Sequence, residues 1–167
     1  MTEFPKGVRL AQAGDEKRLF DLCFIAHEEN GWGSMDPETV NATIRKATQR
    51  EGCVIAIIDG PERVEAAIGL QPTVPWFCKS DIATNWYWCE LFWYVHPLHR
   101  RSRHAVKLFR FTQWWEEQIH APVLISLMPR EDLEKKEKLC ARFGTHIGST
   151  FLIGNGKKTY AEVASNV

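Results

Sequence analysis

The chain has 167 residues and carries 21 Lys+Arg against 21 Asp+Glu, which leaves no formal net charge. That balance argues against a dedicated nucleic-acid binder, because counterion release needs a strongly basic surface, although it allows a local basic patch. With 44% hydrophobic and 25% charged residues the composition fits one globular domain over residues 1–167, and no apolar run nears the roughly 18 residues of a membrane span.

Val8-Arg9-Leu10-Ala11 alternates like a short strand, and Asp15 is placed to cap a helix through about Asn30 whose Leu19, Leu22, Cys23 and Ala26 share one side. Gly31-Trp32-Gly33 breaks it. A second helix is predicted from Asp36-Pro37, with proline in its first turn, to about Glu51-Gly52, with Val40, Ile44 and Ala47 inward. Cys53–Ile58 and Val64–Leu70 read as an antiparallel strand pair around the Asp59-Gly60-Pro61-Glu62 turn. Gln71–Thr84 reads as a loop-like insert, and Asn85–Val95 as an aromatic-rich central strand. A helix from about Ser102 to His120 follows, with Ala105, Leu108, Phe109, Thr112, Trp115 and Ile119 as its apolar stripe. Val123–Met128 is a further strand and Arg130–Arg142 a charged helix, closed by Phe143-Gly144 with glycine as its cap. Thr145–Ile153 and Lys157–Val163 make a hairpin around Gly154-Asn155-Gly156. The order β-α-α-β-β-β-α-β-α-β-β is mixed α/β, a mostly antiparallel central sheet flanked by helices.

The opening Met1-Thr2-Glu3-Phe4-Pro5-Lys6 lacks the profile of a signal peptide. Cys23, Cys53, Cys78, Cys89 and Cys140 are scattered and form no C-x-x-C pair, which points to reduced thiols in a cytoplasmic protein.

The most specific feature is the junction Val95-His96-Pro97-Leu98-His99-Arg100-Arg101-Ser102-Arg103-His104-Ala105. A strand stops before a proline, and basic and hydroxyl residues then open an amphipathic helix. The first N–H groups of a helix lack internal partners and its dipole favours negative charge there, so this junction is built to hold phosphate. The competing reading is a solvated basic loop.

The element order and this junction resemble the GNAT superfamily of acetyl-CoA-dependent N-acetyltransferases. The resemblance covers nearly the whole chain and centres on Tyr94-Val95-His96-Pro97, Arg100–Ala105 and Leu139-Cys140-Ala141-Arg142-Phe143-Gly144. The family's cofactor motif is Arg/Gln-x-x-Gly-x-Gly/Ala. Arg100 matches its first position and Ala105 its last, while Arg103 replaces the central glycine. The Arg-Arg-Ser-Arg-His-Ala turn is also similar to a bacteriophage-type branch. The resemblance implies acetyl-CoA as co-substrate, with the pyrophosphate on main-chain N–H groups of Arg101, Ser102, Arg103, His104, Ala105 and Val106, helped by the Ser102 hydroxyl. Trp93, Tyr94 and Val95 would line the pantetheine arm, with the main chain of Trp93 and Val95 pairing to it like a neighbouring strand. If Arg103 takes a helical φ, no glycine is needed there.

Acetyl transfer to an amine needs a base, an oxyanion donor and, at most, an acid for the leaving thiolate. Glu90 is the base expected, on a strand where several GNAT enzymes carry a glutamate; alternation puts it on one face with Trp88, Phe92 and Tyr94, opposite Leu91, Trp93 and Val95. Its other reading is a solvent-facing or paired carboxylate. Cys140 occupies the position of the family's tyrosine acid and is otherwise a packing thiol; Tyr94, a water or no acid at all are the alternatives. His96, His99 and His104 can contact phosphate, and no metal site is expected, because no carboxylate or cysteine completes their spacing. Trp76-Phe77 and Trp86-Tyr87-Trp88 form either an aromatic substrate wall or core plus a homodimer seam. The acceptor is expected to be a small-molecule or peptide amine. Rival readings are a catalytically silent module that binds a protein or nucleic acid and, less favoured, a nucleobase or tRNA acetyltransferase.

Overall fold

A computed structural model describes residues 3–30, 34–73, 87–126 and 133–145. In chain order the elements are β1 (Arg9–Leu10), α1 (Glu16–Asn30), α2 (Pro37–Gln49), β2 (Val54–Asp59), β3 (Val64–Thr73) and β4 (Tyr87–Val95). A single 3₁₀ turn, Pro97–His99, then leads to α3 (His104–Ile119), β5 (Val123–Leu124) and α4 (Leu133–Cys140). The strands form one sheet in the order β1-β2-β3-β4-β5, antiparallel except that β5 runs parallel to β4.

The continuous apolar run of β2 marks a strand covered on both sides. Ile55 and Ile57 pack with Leu19 and Leu22 of α1 and Ile44 and Ala47 of α2. Val54, Ala56 and Ile58 face the opposite way, toward Leu108 and Phe111 of α3. Phe111 is fully buried although the predicted stripe omits it, because Phe4, from the segment before β1, covers the flank of α3 on which it lies. Trp115 meets Trp88 edge-on at 5.2 Å, so Trp88 belongs to the core of this face.

Several predicted ends move. Asp36 caps α2 as expected, accepting from the Glu38 N–H at 3.0 Å. The carboxylate of Asp15 is instead spent on Arg9, at 2.6 and 2.8 Å, and on the Gln12 N–H. β3 continues to Thr73, with Pro72 opposite Trp88, three residues into what the sequence suggests is loop. α3 begins at His104 rather than Ser102, because the 3₁₀ turn uses up the preceding residues. α4 ends at Cys140, and Gly144 is not in the left-handed region; its N–H simply donates to the Cys140 carbonyl. The left-handed helix ends fall on Arg50 (φ 61°) and His120 (φ 52°). The rest of the insert, with Trp76, Phe77 and Trp86, lies outside the described residues, as do the end of the fifth predicted strand and the C-terminal hairpin.

One irregularity governs the site. Across β3 and β4 the register steps from Gly69↔Phe92 to Leu70↔Glu90, leaving Leu91 as an extra residue in a β-bulge. Leu91 and Phe92, adjacent in sequence, therefore both pack toward α1 and α2. Gly69 makes room for this: a Cβ there would stand 2.9 Å from Phe92 Cε1 and 3.3 Å from Leu91 Cβ. Gly69→Ala is expected to destabilise the fold by about 1–3 kcal/mol through overpacking, read from urea unfolding; an unchanged midpoint would mean the bulge tolerates the methyl group.

Candidate active site

β4 and β5 pair only briefly. Trp88 and Cys89 lie against Val123 and Leu124, and the Trp88 N–H donates to the Pro122 carbonyl at 2.9 Å. Beyond Cys89, no strand among the described residues pairs with the outer edge of β4. The His96 N–H donates to Glu65 O on the β3 side at 2.9 Å. Antiparallel alternation then turns the main chain of Tyr94 toward β3 and that of Trp93 and Val95 toward the open edge. An open edge of this kind is what an extended ligand arm can join as an added strand.

Glu90 sits where the two strands part. The bulge corrects the regular alternation read from sequence: Glu90 shares its face with Leu70 and Trp88 on the α3 side, whereas Phe92 and Tyr94 point to the α1/α2 side. Burial pushes the Glu90 carboxyl up to about 7, against the opposing pull of the Ser126 N–H, which donates to Oε2 at 2.6 Å. A carboxyl poised near neutrality is suited to pass a proton in either direction.

Cys140 ends α4, within electrostatic reach of Glu90. Burial raises its thiol above the ordinary range, and the nearby Glu90 and Glu137 charges raise it further. It is therefore a neutral thiol rather than a thiolate. The following turn is held against α3 by Phe143 stacked on Phe109, with centroids 5.3 Å apart, and by Gln113 Nε2 donating to Phe143 O at 3.4 Å.

Tyr94 lies across the sheet from this pair. It is buried against α1 and α2, and its hydroxyl donates to Glu29. Arg100 donates to the same Glu29 oxygen and, at 3.2 Å, to the Tyr94 hydroxyl. Burial and the Glu29 hydrogen bond push the Tyr94 phenol up to about 12. The structure thus puts the Glu90 charge within electrostatic reach of Cys140 and sets Tyr94 apart, as a link between α1 and the basic turn. Sequence reasoning misses Glu29, yet an acidic residue in the last turn of a helix opposes the helix dipole, and that signals an outside partner.

The basic turn leaves its amides open. The His99 and Ser102 N–H groups bond back to His96 and His99 carbonyls, and the His104 N–H donates to Ser102 Oγ at 3.2 Å. The N–H groups of Arg101, Arg103, Ala105 and Val106 have no acceptor among the described residues. Arg103 has φ −91° and ψ 15°, a conformation any L-residue adopts, so its replacement of the family's central glycine carries no backbone strain. Arg101, Ser102 and Arg103 are exposed, while His104, Ala105 and Val106 are half-buried.

The histidines are not isolated from carboxylates, contrary to the sequence expectation. Glu65, brought over from β3, reaches His104 Nε2 at 2.7 Å and His99 Nδ1 at 3.6 Å. His96 is buried, and burial first, then the charge of Arg63, lowers it below the ordinary histidine value. The Leu98 N–H donates to its Nδ1 at 3.3 Å.

No protein-family model and no curated protein matches the sequence. Solved structures do match the fold. One is a Clostridium acetobutylicum protein described as a predicted acetyltransferase, solved with acetyl-CoA; identity is 14% over 89% of this chain and 94% of that one, with a TM-score of 0.67. Another is a GNAT family acetyltransferase of Staphylococcus aureus, 11% identical over 89% and 96%, with a TM-score of 0.59. This is the GNAT acetyltransferase fold. A third structure with it is an aminoglycoside 6′-N-acetyltransferase in complex with a bisubstrate analogue that joins CoA to an acetylneamine; identity is 12% over 89% and 97%, with a TM-score of 0.65. The mixed, mostly antiparallel sheet expected from sequence is present through its first five strands; the parallel pairing of β4 with β5 is seen only in the structure. Among the described residues no helix is long and apolar enough to cross a membrane.

Proposed function

We propose that the chain is an enzyme that transfers an acetyl group from acetyl-CoA to an amine by direct attack in a ternary complex. The observation that carries this reading is Glu90: a half-buried carboxyl raised to about 7, at the parting of β4 and β5, where the Ser126 N–H donates to it. The open main-chain edge at Trp93 and Val95 would take the pantetheine arm, with Tyr94 behind it as support. The unpartnered amides of Arg101, Arg103, Ala105 and Val106, with the Ser102 hydroxyl, would hold the diphosphate.

In the reaction Glu90 removes a proton from the acceptor ammonium, directly or through a water, and the neutral amine adds to the thioester carbonyl. As the C–S bond breaks, the departing CoA thiolate takes the Cys140 proton. Water returns the Glu90 proton to the Cys140 thiolate, and the remaining N–H proton of the tetrahedral intermediate passes to solvent, so that one proton is released per turnover. Tyr94, hydrogen-bonded to Glu29 on the other face, positions Arg100 and the turn instead of supplying this proton.

The acceptor is a small-molecule or peptide amine, in keeping with the bisubstrate analogue bound by one structural neighbour. The bacteriophage-type branch rests on the Arg100–Ala105 turn alone, and a homodimer seam on the aromatic insert alone. Isothermal titration with acetyl-CoA tests the reading: saturable binding is expected, and Arg101→Glu is expected to weaken it by about tenfold or more by placing a carboxylate against the phosphates. Absence of heat and of thermal protection at millimolar cofactor would favour the silent binding module.

A further inference from the structure

Glu65, His99 and His104 bring one carboxylate and two imidazoles within reach of a single ion, and we propose that they form a binding site for a divalent metal of the zinc class. Their donor atoms all lie within 4.8 Å of one another. Glu65 Oε2 stands 2.7 Å from His104 Nε2 and 3.6 Å from His99 Nδ1. Donors bound tetrahedrally to zinc at about 2.0–2.1 Å stand about 3.3 Å apart. The two separations from Glu65 bracket that value, so modest side-chain shifts complete the geometry.

Several independent features hold the donors in place. Between Ile58↔Ala66 and Asp59↔Val64 the β2–β3 register leaves Glu65 as an extra residue, and such bulges re-aim side chains. Gly60 leaves the space into which Glu65 turns, because a Cβ at that position would collide with its carboxylate. The His99 and His104 rings stack with centroids 5.8 Å apart, so their free nitrogens approach the same volume. All three side chains are largely shielded, with His99, at 30% exposure, the most open to solvent.

The donor set selects the ion. Two imidazole nitrogens and one carboxylate suit zinc and its neighbours, whereas calcium and magnesium require shells of oxygen. Three protein donors leave a fourth position for water. Coordination through His104 Nε2 places the ring proton on Nδ1, which is buried without a hydrogen-bond partner among the described residues. The ring lacks the outer partner that tightens most zinc centres, so the bound metal should exchange rather than stay permanently. An ion there would fasten both ends of the Arg100–Arg103 turn to β3. None of this depends on the acetyl-transfer reading.

The test is titration of the tag-free, chelator-treated full chain with CoCl2 and ZnCl2. One equivalent of cobalt should bind with the visible bands of a nitrogen–oxygen site, and zinc should displace it. His99→Ala and Glu65→Gln should each weaken binding roughly tenfold or more, while circular dichroism and the melting curve without metal stay as in the parent chain. His99→Ala decides the matter if changes at the more buried His104 impair folding. No saturable binding, equal binding by the variants, or sulfur-to-cobalt charge-transfer bands reporting cysteine ligation would each overturn the proposal.

Discussion

Glu90→Gln should slow acetyl transfer by about 10²–10⁴-fold while leaving acetyl-CoA binding within a few-fold of the parent. Glutamine keeps the size of the side chain and an oxygen to accept the Ser126 N–H, but cannot take the proton. The pH profile gives the sharper signature. A base whose carboxyl is raised to about 7 is active only when ionised, so the parent rate should climb through about pH 7 and level off above it. The variant should lose that step. An intact profile in the variant would remove Glu90 from the mechanism.

The same group leaves a mark on stability, with a sign fixed by linkage. Its folded value of about 7 lies above the ordinary 4.5, so between those limits the folded chain binds more protons than the unfolded one. Unfolding free energy therefore falls as pH rises across that window, by at most about 3 kcal/mol. Glu90→Gln should flatten this slope and, above pH 7, raise stability. A catalytic carboxylate that weakens its own fold is the expected trade at a desolvated site.

Phe111→Ala should cost about 3–5 kcal/mol, the largest loss expected from a single truncation among the described residues. Phe111 is fully buried, with ring contacts to Phe4, Trp114 and Trp115 at centroid distances of 6.1, 5.9 and 6.0 Å. Removing it opens a cavity between α3 and the sheet that rigid aromatic neighbours cannot close. Domains of this size are stable by only about 5–15 kcal/mol, so much of the margin would go. Equilibrium urea unfolding measures it; a loss below about 1 kcal/mol would show that the neighbours collapse into the space. Phe111→Leu should cost less, because it leaves a smaller void.

What could be read from the sequence was local. Asp36-Pro37 announces α2 because capping is decided by the residues that make it, and the β2–β3 hairpin follows from its apolar runs and turn. The basic junction is legible for the same reason, since a helix start is a short-range event. The arrangement of β4 is not. An extra residue such as Leu91 leaves no trace in the alternation, so the faces of Phe92 and Tyr94 relative to Glu90 come out reversed. Glu29 meets Tyr94 across 65 positions of chain, and Glu65 reaches the histidines from another strand. Such pairings are set by topology and not by spacing. The sequence points to Glu90 and Cys140 separately, and only the fold puts the charge of one within reach of the other.

The Glu29–Tyr94–Arg100 link has a consequence for how ionic strength acts on this protein. Arg100 is already neutralised by Glu29. Of the arginines in the basic turn, Arg101 and Arg103 have no ion-pair partner among the described residues and are left to meet a multivalent anion. Added electrolyte should therefore loosen such a ligand only gently, far less than a tally of the arginines and histidines suggests, with main-chain dipoles supplying the remainder of the hold.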